Sequence, residues 1–566
     1  MKKILTYVLL MSFLFASFSS LSMALIGDMN ADGAVNNKDV VSLFRYVSST
    51  GGVEYNKDVD INGDGKINNK DVVLLFMLVS EMPDDAGTYA TDFTVSKVFG
   101  NNMVIQRNEV IRIWGWAPTA QNGRVVCAEF AGLSGSAEIR NGEWMITLDG
   151  MLPENTTGQT LRVYGKGCEK KFNNVLVGDV YWVVGQSNVW YPVSAIRNEP
   201  LASEAGRTAE ISNDLQIRLN RTYAGDFTGI TLGTNDVSKD VVNKRGWQTP
   251  RQGALDFSAL GYFTALMLYN ELNRKVPIGM IEFDGNGCAL HAFLPNEVRD
   301  ALHVSTLSNG VYTAAGVNAH TSSFMYNHGM YSFQNFPISG ILWYQGESDC
   351  STANNNCYAY ADRFVALINY LRNAHNQTVN HDYPVYIVEF PPIYMNFDYS
   401  LVRMTMGKIP SMLENAHICT SADLWKDKTY ENNLHPYNKW EISERMKDII
   451  LADRYGKGKL DEAEGPVVES CTFSSDGKTA TIKFRNVGTG LRSISGAISG
   501  VKVITNRSWV SPSSVTITAP DILKVTSSSK MIWVGYNTSR SDSFPETMTL
   551  CNSSGVPCAA WMYENK

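Results

Sequence analysis

The order of apolar and polar positions divides the chain into regions of different character. Residues 92–174 alternate short apolar runs with Gly and Asn turns, which predicts a β-sandwich module. From residue 175 to 460, buried-strand runs such as Asp179–Val184 alternate with helical periodicity, which predicts an α/β domain with a mostly parallel sheet. Residues 463–566 return to short Ser-, Thr- and Val-rich runs, so a second β module is expected at the C-terminal end.

The α/β region has enough apolar periodicity to place its main elements. Apolar runs of strand length predict strands, and apolar positions three and four residues apart predict helices. The predicted strands are Asp179–Val184, Ile278–Phe283, Ile338–Tyr344 and Tyr386–Phe390, and the predicted helices are Leu260–Asn273, Tyr358–Ala374 and Lys439–Tyr455.

The first 24 residues have the pattern of a secretory signal peptide. Lys2 and Lys3 precede a short apolar run over Ile4–Phe18, and small residues follow up to Ala24. The apolar run is short for a membrane anchor and no stop-transfer flank follows it. We therefore expect cleavage after Ala24 and export of the protein.

Composition excludes two classes of protein. Hydrophobic residues make up 44% and charged residues 19% of the 566 residues, which excludes disorder over most of the chain. The net charge is −7, and the chain has no extended block of Lys and Arg, so a nucleic-acid-binding role is not expected.

Export also permits disulfide bonds among the nine cysteines. Three pairs are candidates, although connectivity cannot be read from spacing and the number of cysteines is odd. The candidates are Cys127 with Cys168, Cys350 with Cys357, and Cys551 with Cys558.

Two polar loops near the N-terminus repeat each other 32 residues apart. Each places oxygen-bearing side chains at loop positions 1, 3, 5, 9 and 12, with Gly at position 6 and an apolar helix after the loop. Oxygen ligands at this spacing are typical of EF-hand calcium sites. The predicted ligands are Asp28, Asn30, Asp32, Ala34, Asn36 and Asp39 in the first loop, and Asp60, Asn62, Asp64, Lys66, Asn68 and Asp71 in the second.

Over residues 25–82 this repeat resembles an all-α, EF-hand-like type I dockerin. The resemblance implies two bound calcium ions and a cohesin module of a scaffoldin as the partner, in a cellulosome-like complex. Positions 10 and 11 of each loop help to select the cohesin in that family, and here they are Asn37-Lys38 and Asn69-Lys70. Because positions 10 and 11 are the same in both copies, the resemblance implies that either half can present the same face to the cohesin. Residues 83–91 are polar and form the predicted linker to the β-rich region.

Three polar motifs follow predicted strands of the α/β domain or precede its last helix. Ser187 lies in Gly185-Gln-Ser-Asn188, where a tight turn after a buried strand exposes a nucleophile. Gln345 and Glu347 lie in Trp343-Tyr-Gln-Gly-Glu-Ser-Asp349, and His435 lies in a loop before Lys439. A hydroxyl, an imidazole, a carboxylate and an amide donor are the groups that acyl transfer needs. Trp343 and Tyr344 are candidates for a sugar-facing wall or for the core.

In this order, Gly-Gln-Ser-Asn, Trp-Tyr-Gln-Gly-Glu-Ser and His-Pro-x-Asn-Lys resemble the SGNH hydrolases, and specifically the sialate O-acetylesterase family of carbohydrate esterases. The resemblance covers about residues 92–566 and implies a flavodoxin-like parallel sheet between two β-sandwich-like modules. It also implies Ser187 as the nucleophile and His435 as the general base and then acid. The oxyanion hole would consist of the backbone N–H groups of Ser187 and Gly287 and the side chain of Gln345. No cofactor is implied for catalysis.

One departure from that family affects the group that orients His435. The family commonly carries Asp two or three residues before the His, and here those positions are Asn432 and Asn433. Three alternatives remain open: Glu347 orients His435, a backbone carbonyl does so in a Ser–His dyad, or the enzyme is impaired. Asp423, Asp427 and Glu431 are further candidates for the missing carboxylate.

The two resemblances together imply a secreted carbohydrate O-acetylesterase attached to a scaffold. The likeness to a dockerin implies plant cell-wall polysaccharide, acetylated xylan above all, as the expected substrate. A sialate or pectin O-acetylesterase and a non-catalytic carbohydrate-binding subunit are the alternatives.

Overall fold

A computed structural model describes residues 29, 35–48, 60, 67–81, 88–223, 235–242, 245–304, 322–350, 356–375, 377–393, 399–424, 434–539, 544 and 546–566. The predicted signal peptide and most of both predicted calcium loops lie outside these residues. Among the helices that are described, none is long and apolar enough to cross a membrane. The chain forms two compact units, one of residues 1–91, 123–125 and 165–167, and one of the remaining residues.

The described α-helices range in length from 4 to 20 residues, and both extremes occur in the α/β domain. They are α1 Asn37–Ser48, α2 Asn69–Glu81, α3 Ser187–Trp190, α4 Val193–Asn198, α5 Glu204–Arg207, α6 Pro250–Gly253, α7 Ala259–Glu271, α8 Asn296–Ala301, α9 Asn356–His375, α10 Ser400–Met406, α11 Ile409–Met412, α12 Lys439–Tyr455 and α13 Leu460–Ala463.

The described strands form several sheets. They are β1 Thr94–Val95, β2 Val104–Gln106, β3 Arg112–Trp116, β4 Val125–Phe130, β5 Leu133–Glu138, β6 Glu143–Thr147, β7 Asn155–Tyr164, β8 Glu169–Gly185, β9 Ile217–Tyr223, β10 Ile278–Asp284, β11 Gly340–Tyr344, β12 Val385–Glu389, β13 Ala416–Thr420, β14 Val467–Phe473, β15 Thr479–Arg485, β16 Arg492–Ser493, β17 Val501–Ile504, β18 Trp509–Val510, β19 Ser514–Ala519, β20 Ile522–Thr526, β21 Trp533–Tyr536, β22 Leu550–Cys551 and β23 Trp561–Glu564.

In the first unit, α1 and α2 begin in the same way. The side chain of Asn36 accepts a hydrogen bond from the N–H of Lys38 at 2.9 Å, and the carboxylate of Asp39 accepts one from the N–H of Asn36 at 2.8 Å. Asn68 and Asp71 repeat both bonds at the start of α2. This reciprocal pair is a capping box, which satisfies N–H groups that a helix start leaves open. The helices share a small core around the fully buried Leu43 and Leu75.

The strand β8 belongs to two structural layers. Its first half pairs antiparallel with β7 and is mostly exposed, whereas every residue from Val175 to Gly185 is buried. The second half pairs parallel with β10 and β11. A module boundary was expected between residues 174 and 175, but one continuous strand crosses that position. The change from alternating to continuous burial marks a change of environment along a single strand.

The parallel strands of the α/β domain run in the order β9-β10-β8-β11-β12-β13. Without β9, the order is 2-1-3-4-5, which is flavodoxin-like. The edge strands β9 and β13 were not predicted from the sequence. The chain moves from β8 to one side and returns to the other with β11, so the end of β8 is a topological switch point, where such sheets bind ligands.

Helices cover both faces of this sheet. Trp343 of β11 contacts Phe364 of α9 with ring centroids 5.0 Å apart, whereas the ring of the next residue, Tyr344, lies 5.2 Å from Nζ of Lys439 in α12. Successive side chains of a strand point to opposite faces, so α9 and α12 lie on opposite sides of the sheet. The helix α7 packs beside α12, where Oγ of Ser443 donates to the carbonyl of Leu260 at 3.2 Å. These three helices are the ones that the apolar periodicity predicts.

The C-terminal residues form two antiparallel four-stranded sheets, in the orders β14-β15-β20-β19 and β18-β17-β21-β23, with a shared apolar core. They contact the α/β domain directly. The N–H of Ala560 donates to the buried carboxyl of Glu389 at 3.1 Å, and the N–H of Ile418 in β13 donates to Glu464 at 2.6 Å. All nine cysteines lie in described segments, and no disulfide bond joins any two of them. The three candidate pairs are therefore not formed in this structure.

Candidate active site

The three strand-end motifs meet at one edge of the parallel sheet. Gly185 at the end of β8 lies in register with Asp284 of β10 on one side and Tyr344 of β11 on the other. The segments that follow these residues therefore leave the sheet side by side. This edge holds the predicted nucleophile, the predicted glycine of the oxyanion hole and the predicted carboxylate.

Ser187 is the first residue of the one-turn helix α3, and it is partly exposed. The carbonyl of Gln186 accepts hydrogen bonds from the N–H groups of Val189 and Trp190, both at 2.9 Å, which closes the turn tightly behind the strand. Within the described part of the chain, no hydrogen bond uses the N–H of Ser187. The first N–H groups of a helix have no partner in the helix, so this donor is open to an incoming oxygen.

Asn188, the next residue, connects the nucleophile turn to the other two motifs. Its Nδ2 donates to Oε1 of Glu347 at 2.5 Å and to the carbonyl oxygen of Leu434 at 3.1 Å. Its Oδ1 accepts a hydrogen bond from Nζ of Lys439 at 2.7 Å. Asn188 is fully buried, and each of its polar atoms has a partner. No role for this side chain was predicted from the sequence.

His435 lies directly after Leu434 and is half-buried. Its ring stacks on Tyr191 with centroids 6.2 Å apart and an angle of 20° between the planes. Burial, together with the positive charge of Lys439, lowers the pKa of His435 below its ordinary value of 6.5. The imidazole is therefore neutral at neutral pH, which is the state in which it accepts a proton.

Glu347 is buried, and burial raises the pKa of its carboxyl to about 7. Among the described residues, no hydrogen bond joins this carboxyl to the ring of His435. Glu347 reaches the His435 loop through Asn188 instead. Its role as the group that orients the imidazole remains a prediction.

The other candidates for that role have different surroundings. Both carboxylate oxygens of Asp423 pair with Arg445, at 2.7 and 2.8 Å, so this side chain is committed to another contact. Asp427, Glu431, Asn432 and Asn433 lie outside the described residues.

Gln345 is fully buried, and its amide already has partners. Nε2 lies 2.7 Å from Oδ2 of Asp349, 3.1 Å from the carbonyl oxygen of Cys288 and 3.3 Å from Oε1 of Gln186. Its use as an oxyanion donor would require one of these bonds to be exchanged, and that role stays a prediction. Asp349 also accepts the N–H of Leu290 at 2.8 Å, so it holds Gln345 and the loop after β10 together.

Gly287 occupies the third position of a turn in which the N–H of Cys288 bonds to the carbonyl of Gly285 at 3.0 Å. Its φ is +70°, a conformation that favours glycine. A Cβ added there would meet nothing within 4 Å, so the turn borders open space. No bond within the described residues uses the N–H of Gly287, which is compatible with the predicted oxyanion role.

The structure decides between the two roles, sugar-facing wall or core, that the sequence left open for Trp343 and Tyr344. Trp343 and Tyr344 are fully buried, so a sugar-facing wall made of these two rings is wrong. They alternate along a strand covered on both faces, and Nε1 of Trp343 donates to the hydroxyl of Tyr360 at 3.0 Å. Trp190, three residues after Ser187, is 36% exposed. A large aromatic residue two positions after the Gly185–Asn188 motif was the available signal for it.

Some of the predicted dockerin residues are also described. Asp39 and Asp71 are fully buried at equivalent positions, and the side chains of Lys38, Asn69 and Lys70 are exposed. Oxygen donors suit a hard cation such as calcium, so the predicted ligand set fits the ion in chemistry. Within the described segments, no group of three or more acidic, His or Cys side chains is arranged to hold a metal. The predicted ligands Asp28, Asn30, Asp32, Ala34, Asn62, Asp64 and Lys66 lie outside the described residues.

Comparison with known families identifies two parts of the chain. Residues 252–442 match the family described as carbohydrate esterase, sialic acid-specific acetylesterase. Residues 26–79 match the dockerin type I domain. The first match includes the loop after β10, the Gln345–Asp349 segment and His435, but it begins after Ser187.

Whole proteins and solved structures extend the likeness beyond those ranges. The sialate O-acetylesterase of Pongo abelii is 25% identical over 416 residues, covering 67% of this chain and 74% of that protein. The human sialate O-acetylesterase is 24% identical over 413 residues, with the same coverage. The crystal structure of a carbohydrate acetylesterase from Xanthomonas citri superposes with a TM-score of 0.67 at 22% identity, covering 84% of this chain and all of that one. That last likeness concerns the fold alone.

Proposed function

We propose that this chain, a carboxylic ester hydrolase, removes O-acetyl groups from plant cell-wall polysaccharide, with acetylated xylan as the first substrate to test. The chain carries a carbohydrate esterase domain and a type I dockerin domain, and these two domains are the basis of the proposal. Ser187 and His435 perform the hydrolysis, and the dockerin attaches the enzyme to a cohesin module outside the cell. The dockerin favours a plant polysaccharide, since proteins of this kind assemble on such substrates.

The proposed reaction proceeds through an acetyl-enzyme. Oγ of Ser187 forms a bond to the acetyl carbonyl carbon while its proton passes to His435. The tetrahedral intermediate collapses, the bond to the sugar oxygen breaks, and that oxygen takes the proton from His435. Water then attacks the acetyl-Ser187 ester and gives a proton to His435, and Ser187 recovers that proton as acetate leaves. The N–H groups of Ser187 and Gly287 are the proposed donors to the negative oxygen.

The observation that carries this proposal is the pair of hydrogen bonds from Asn188. They join the turn that holds Ser187 to Glu347 and to the residue before His435. A buried amide with every polar atom paired holds loops in one arrangement, which is what acyl transfer requires of its groups. The open N–H of Ser187 adds a donor at the same point.

The test is acetate release from acetylated xylan by the wild type, Ser187→Ala and Glu347→Gln. Loss of nearly all release in Ser187→Ala supports the nucleophile, and wild-type turnover in that variant would reject it. If Glu347→Gln also loses release, the carboxylate is needed. If it retains release, a Ser–His dyad is favoured over an orienting Glu347.

The alternative substrates are acetylated sialosides and pectin. The relatives named above are sialate O-acetylesterases, which favours sialosides as the second candidate. Paired assays on acetylated xylan, pectin and sialosides, with an activated aryl acetate as the reference, separate these substrates. Binding of polysaccharide without cleavage of any ester would instead favour a non-catalytic subunit.

The proposed partner of the N-terminal unit is a cohesin module. Val41 and Phe44 of α1 are 48% and 55% exposed, and Val73 and Phe76, 32 residues later, are 51% and 55% exposed. Two equivalent apolar surfaces beside Lys38 and Lys70 are compatible with a partner that either repeat binds.

Calcium removal tests this attachment separately from hydrolysis. The proposed ligands lie in the loops that precede α1 and α2, and a unit with so small a core depends on bound metal for folding. Excess chelator should abolish cohesin binding, measured by calorimetry, and leave hydrolysis of an aryl acetate unchanged. Cohesin binding that survives chelation would contradict the proposal.

A further inference from the structure

Lys439 is a fully buried lysine at the first position of α12. Both features are unfavourable for a positive charge. Burial removes the ammonium from water, and the start of a helix carries a partial positive charge of its own. A lysine in this place therefore needs partners that offset these costs, and its partners belong to the site described above.

The ammonium of Lys439 donates to two acceptors at the active site. Nζ lies 2.7 Å from Oδ1 of Asn188 and 2.8 Å from the carbonyl oxygen of Pro436. Nζ also lies 5.2 Å from the ring centroids of Tyr191 and Tyr344, within the range of a cation–π contact. One buried cation thus contacts the nucleophile turn and the loop that holds His435.

These bonds determine which way the amide of Asn188 points. Lys439 has only donors, so it selects Oδ1 as the atom that faces it. Nδ2 is then directed at Glu347 and at the carbonyl of Leu434. The two carbonyl groups on either side of His435 are therefore both held by this chain, Leu434 through Asn188 and Pro436 directly.

We propose that Lys439 is a positioning residue for the hydrolysis, which acts by holding Asn188 and the backbone on both sides of His435 in register with Ser187. The proposal rests on the function proposed above and deepens it. Lys439 does not touch the substrate, and its contribution is to the geometry and the charge around the general base.

The charged and titratable groups that face Lys439 are Glu347, His435, Tyr191 and Tyr344, with Asp349 behind Glu347. Burial lowers the pKa of Lys439 to about 7, against the opposing effect of Glu347. In its charged form Lys439 contributes to the lowered pKa of His435. Removal of the cation should therefore raise the pKa of His435 as well as release the loop.

The first experiment is Lys439→Met, assayed on an activated aryl acetate. We expect kcat to fall about 10²-fold with KM nearly unchanged, because misplacement of catalytic groups by about 1 Å has an effect of that size. The thermal midpoint should fall, because Met leaves Oδ1 of Asn188 and the carbonyl of Pro436 buried without their donor. Lys447→Met, on the same helix, is the matched control and should leave kcat unchanged.

A second variant keeps the proposal testable if Lys439→Met folds poorly. Asn188→Leu breaks the same chain from the other side, and the double variant is the decisive measurement. If Lys439 acts through Asn188, the double variant should be no less active than the more impaired of the two single variants. Independent losses that multiply would overturn the proposal.

Titration of the His435 ring by NMR separates this proposal from the proposed function. The His435 signal is assigned by its disappearance in His435→Gln, and its pKa should be higher in Lys439→Met than in the wild type. If the wild type hydrolyses no ester, but the pKa of His435 is still higher in Lys439→Met than in the wild type, the esterase function is contradicted and the placement of Lys439 is not. An unchanged His435 pKa together with wild-type kcat in Lys439→Met would overturn the proposal.

Discussion

At the scale of single residues, burial determines the chemistry of the site. Asn188, Gln345 and Lys439 are fully buried, and their polar atoms bond to each other's loops rather than to water. Burial raises the pKa of Glu347 and lowers that of Lys439, each to about 7, so neither ionises as it would in solution. Trp190 is the exception, because it exposes a large ring near Ser187, the proposed nucleophile.

We predict that Trp190 contacts the sugar and not the acetyl group. Its ring is exposed three residues after Ser187, and aromatic faces provide large apolar area for a sugar ring. Trp190→Ala should raise KM for an acetylated polysaccharide about 10-fold and leave kcat on a small aryl acetate within a factor of two.

The control for this prediction is Met145→Ala, which removes an exposed apolar side chain from β6. It should leave both substrates unaffected. Equal losses of Trp190→Ala on polymer and aryl acetate would mean that the ring supports the nucleophile turn rather than the sugar.

At the scale of elements, the strand β8 leads into the proposed nucleophile, Ser187, because its buried half ends at the switch point of the sheet. The strand is held on both sides by parallel neighbours, and its last residue is Gly185. A Cβ on Gly185 would lie 2.1 Å from the carbonyl oxygen of Tyr344 and 2.7 Å from Cγ2 of Val189. The close approach of β8 to β11 therefore depends on glycine at this position.

Gly185→Ala should displace the end of β8 and with it Ser187. We expect kcat on an aryl acetate to fall at least about 10²-fold, and the midpoint of unfolding to fall as well, because backbone atoms must move to relieve the contact. Gly100→Ala is the control, since its Cβ would meet Trp247 at an ordinary 3.6 Å. Wild-type kcat in Gly185→Ala would show that the strand end tolerates displacement.

At the scale of the whole molecule, the second unit is held together by buried polar contacts between the α/β domain and the C-terminal sheets. His417 of β13 lies 3.1 Å from Glu464 and 3.6 Å from Asp453 of α12. Burial alone would lower the pKa of His417, but the two carboxylates outweigh it and raise the pKa to about 9. Glu464 also accepts from Asn486 of the C-terminal sheets, so the charged imidazole lies at the junction.

The raised pKa of His417 predicts a pH-dependent stability. A histidine with a folded pKa of about 9 and an ordinary value of 6.5 stabilises the fold fully below the ordinary value, and that stabilisation is lost as pH rises through about 9. His417→Gln should be less stable than the wild type at about pH 6 by on the order of 3 kcal/mol. The difference should close near pH 10.

The check is thermal or urea unfolding of both proteins across this pH range. His381→Gln, which replaces an exposed histidine, is the matched control. A difference between wild type and His417→Gln that stays constant with pH would contradict the assigned charge.

The two units should respond differently to truncation. Deletion of residues 467–566 removes the N–H of Ala560 that bonds to Glu389 and opens the apolar cluster of Met404, Ala560 and Met562, so soluble, active enzyme should be lost. Deletion of residues 1–87 removes a unit with its own core and should leave kcat on an aryl acetate unchanged. Chromatography and the aryl acetate assay measure both outcomes. An active, monodisperse protein lacking residues 467–566 would contradict the prediction.

The sequence by itself predicts those elements and domains that depend on residues close together in the chain. The strands that end at Val184 and Tyr344 and the helix from Lys439 are signalled by apolar periodicity, which depends on neighbours within a few residues. The family matches confirm the type I dockerin and the carbohydrate esterase domain that the motifs predict.

Tertiary structure alone decided what long-range packing controls. The sequence does not signal that β8 crosses a module boundary, that Trp343 is buried while Trp190 is exposed, or that Lys439 reaches Asn188 across 251 positions of the chain. Such contacts depend on which strands become neighbours in the sheet, and periodicity carries no information about that. The residue types therefore indicate the chemistry of the proposed site, whereas the contacts between its residues depend on the order of the strands.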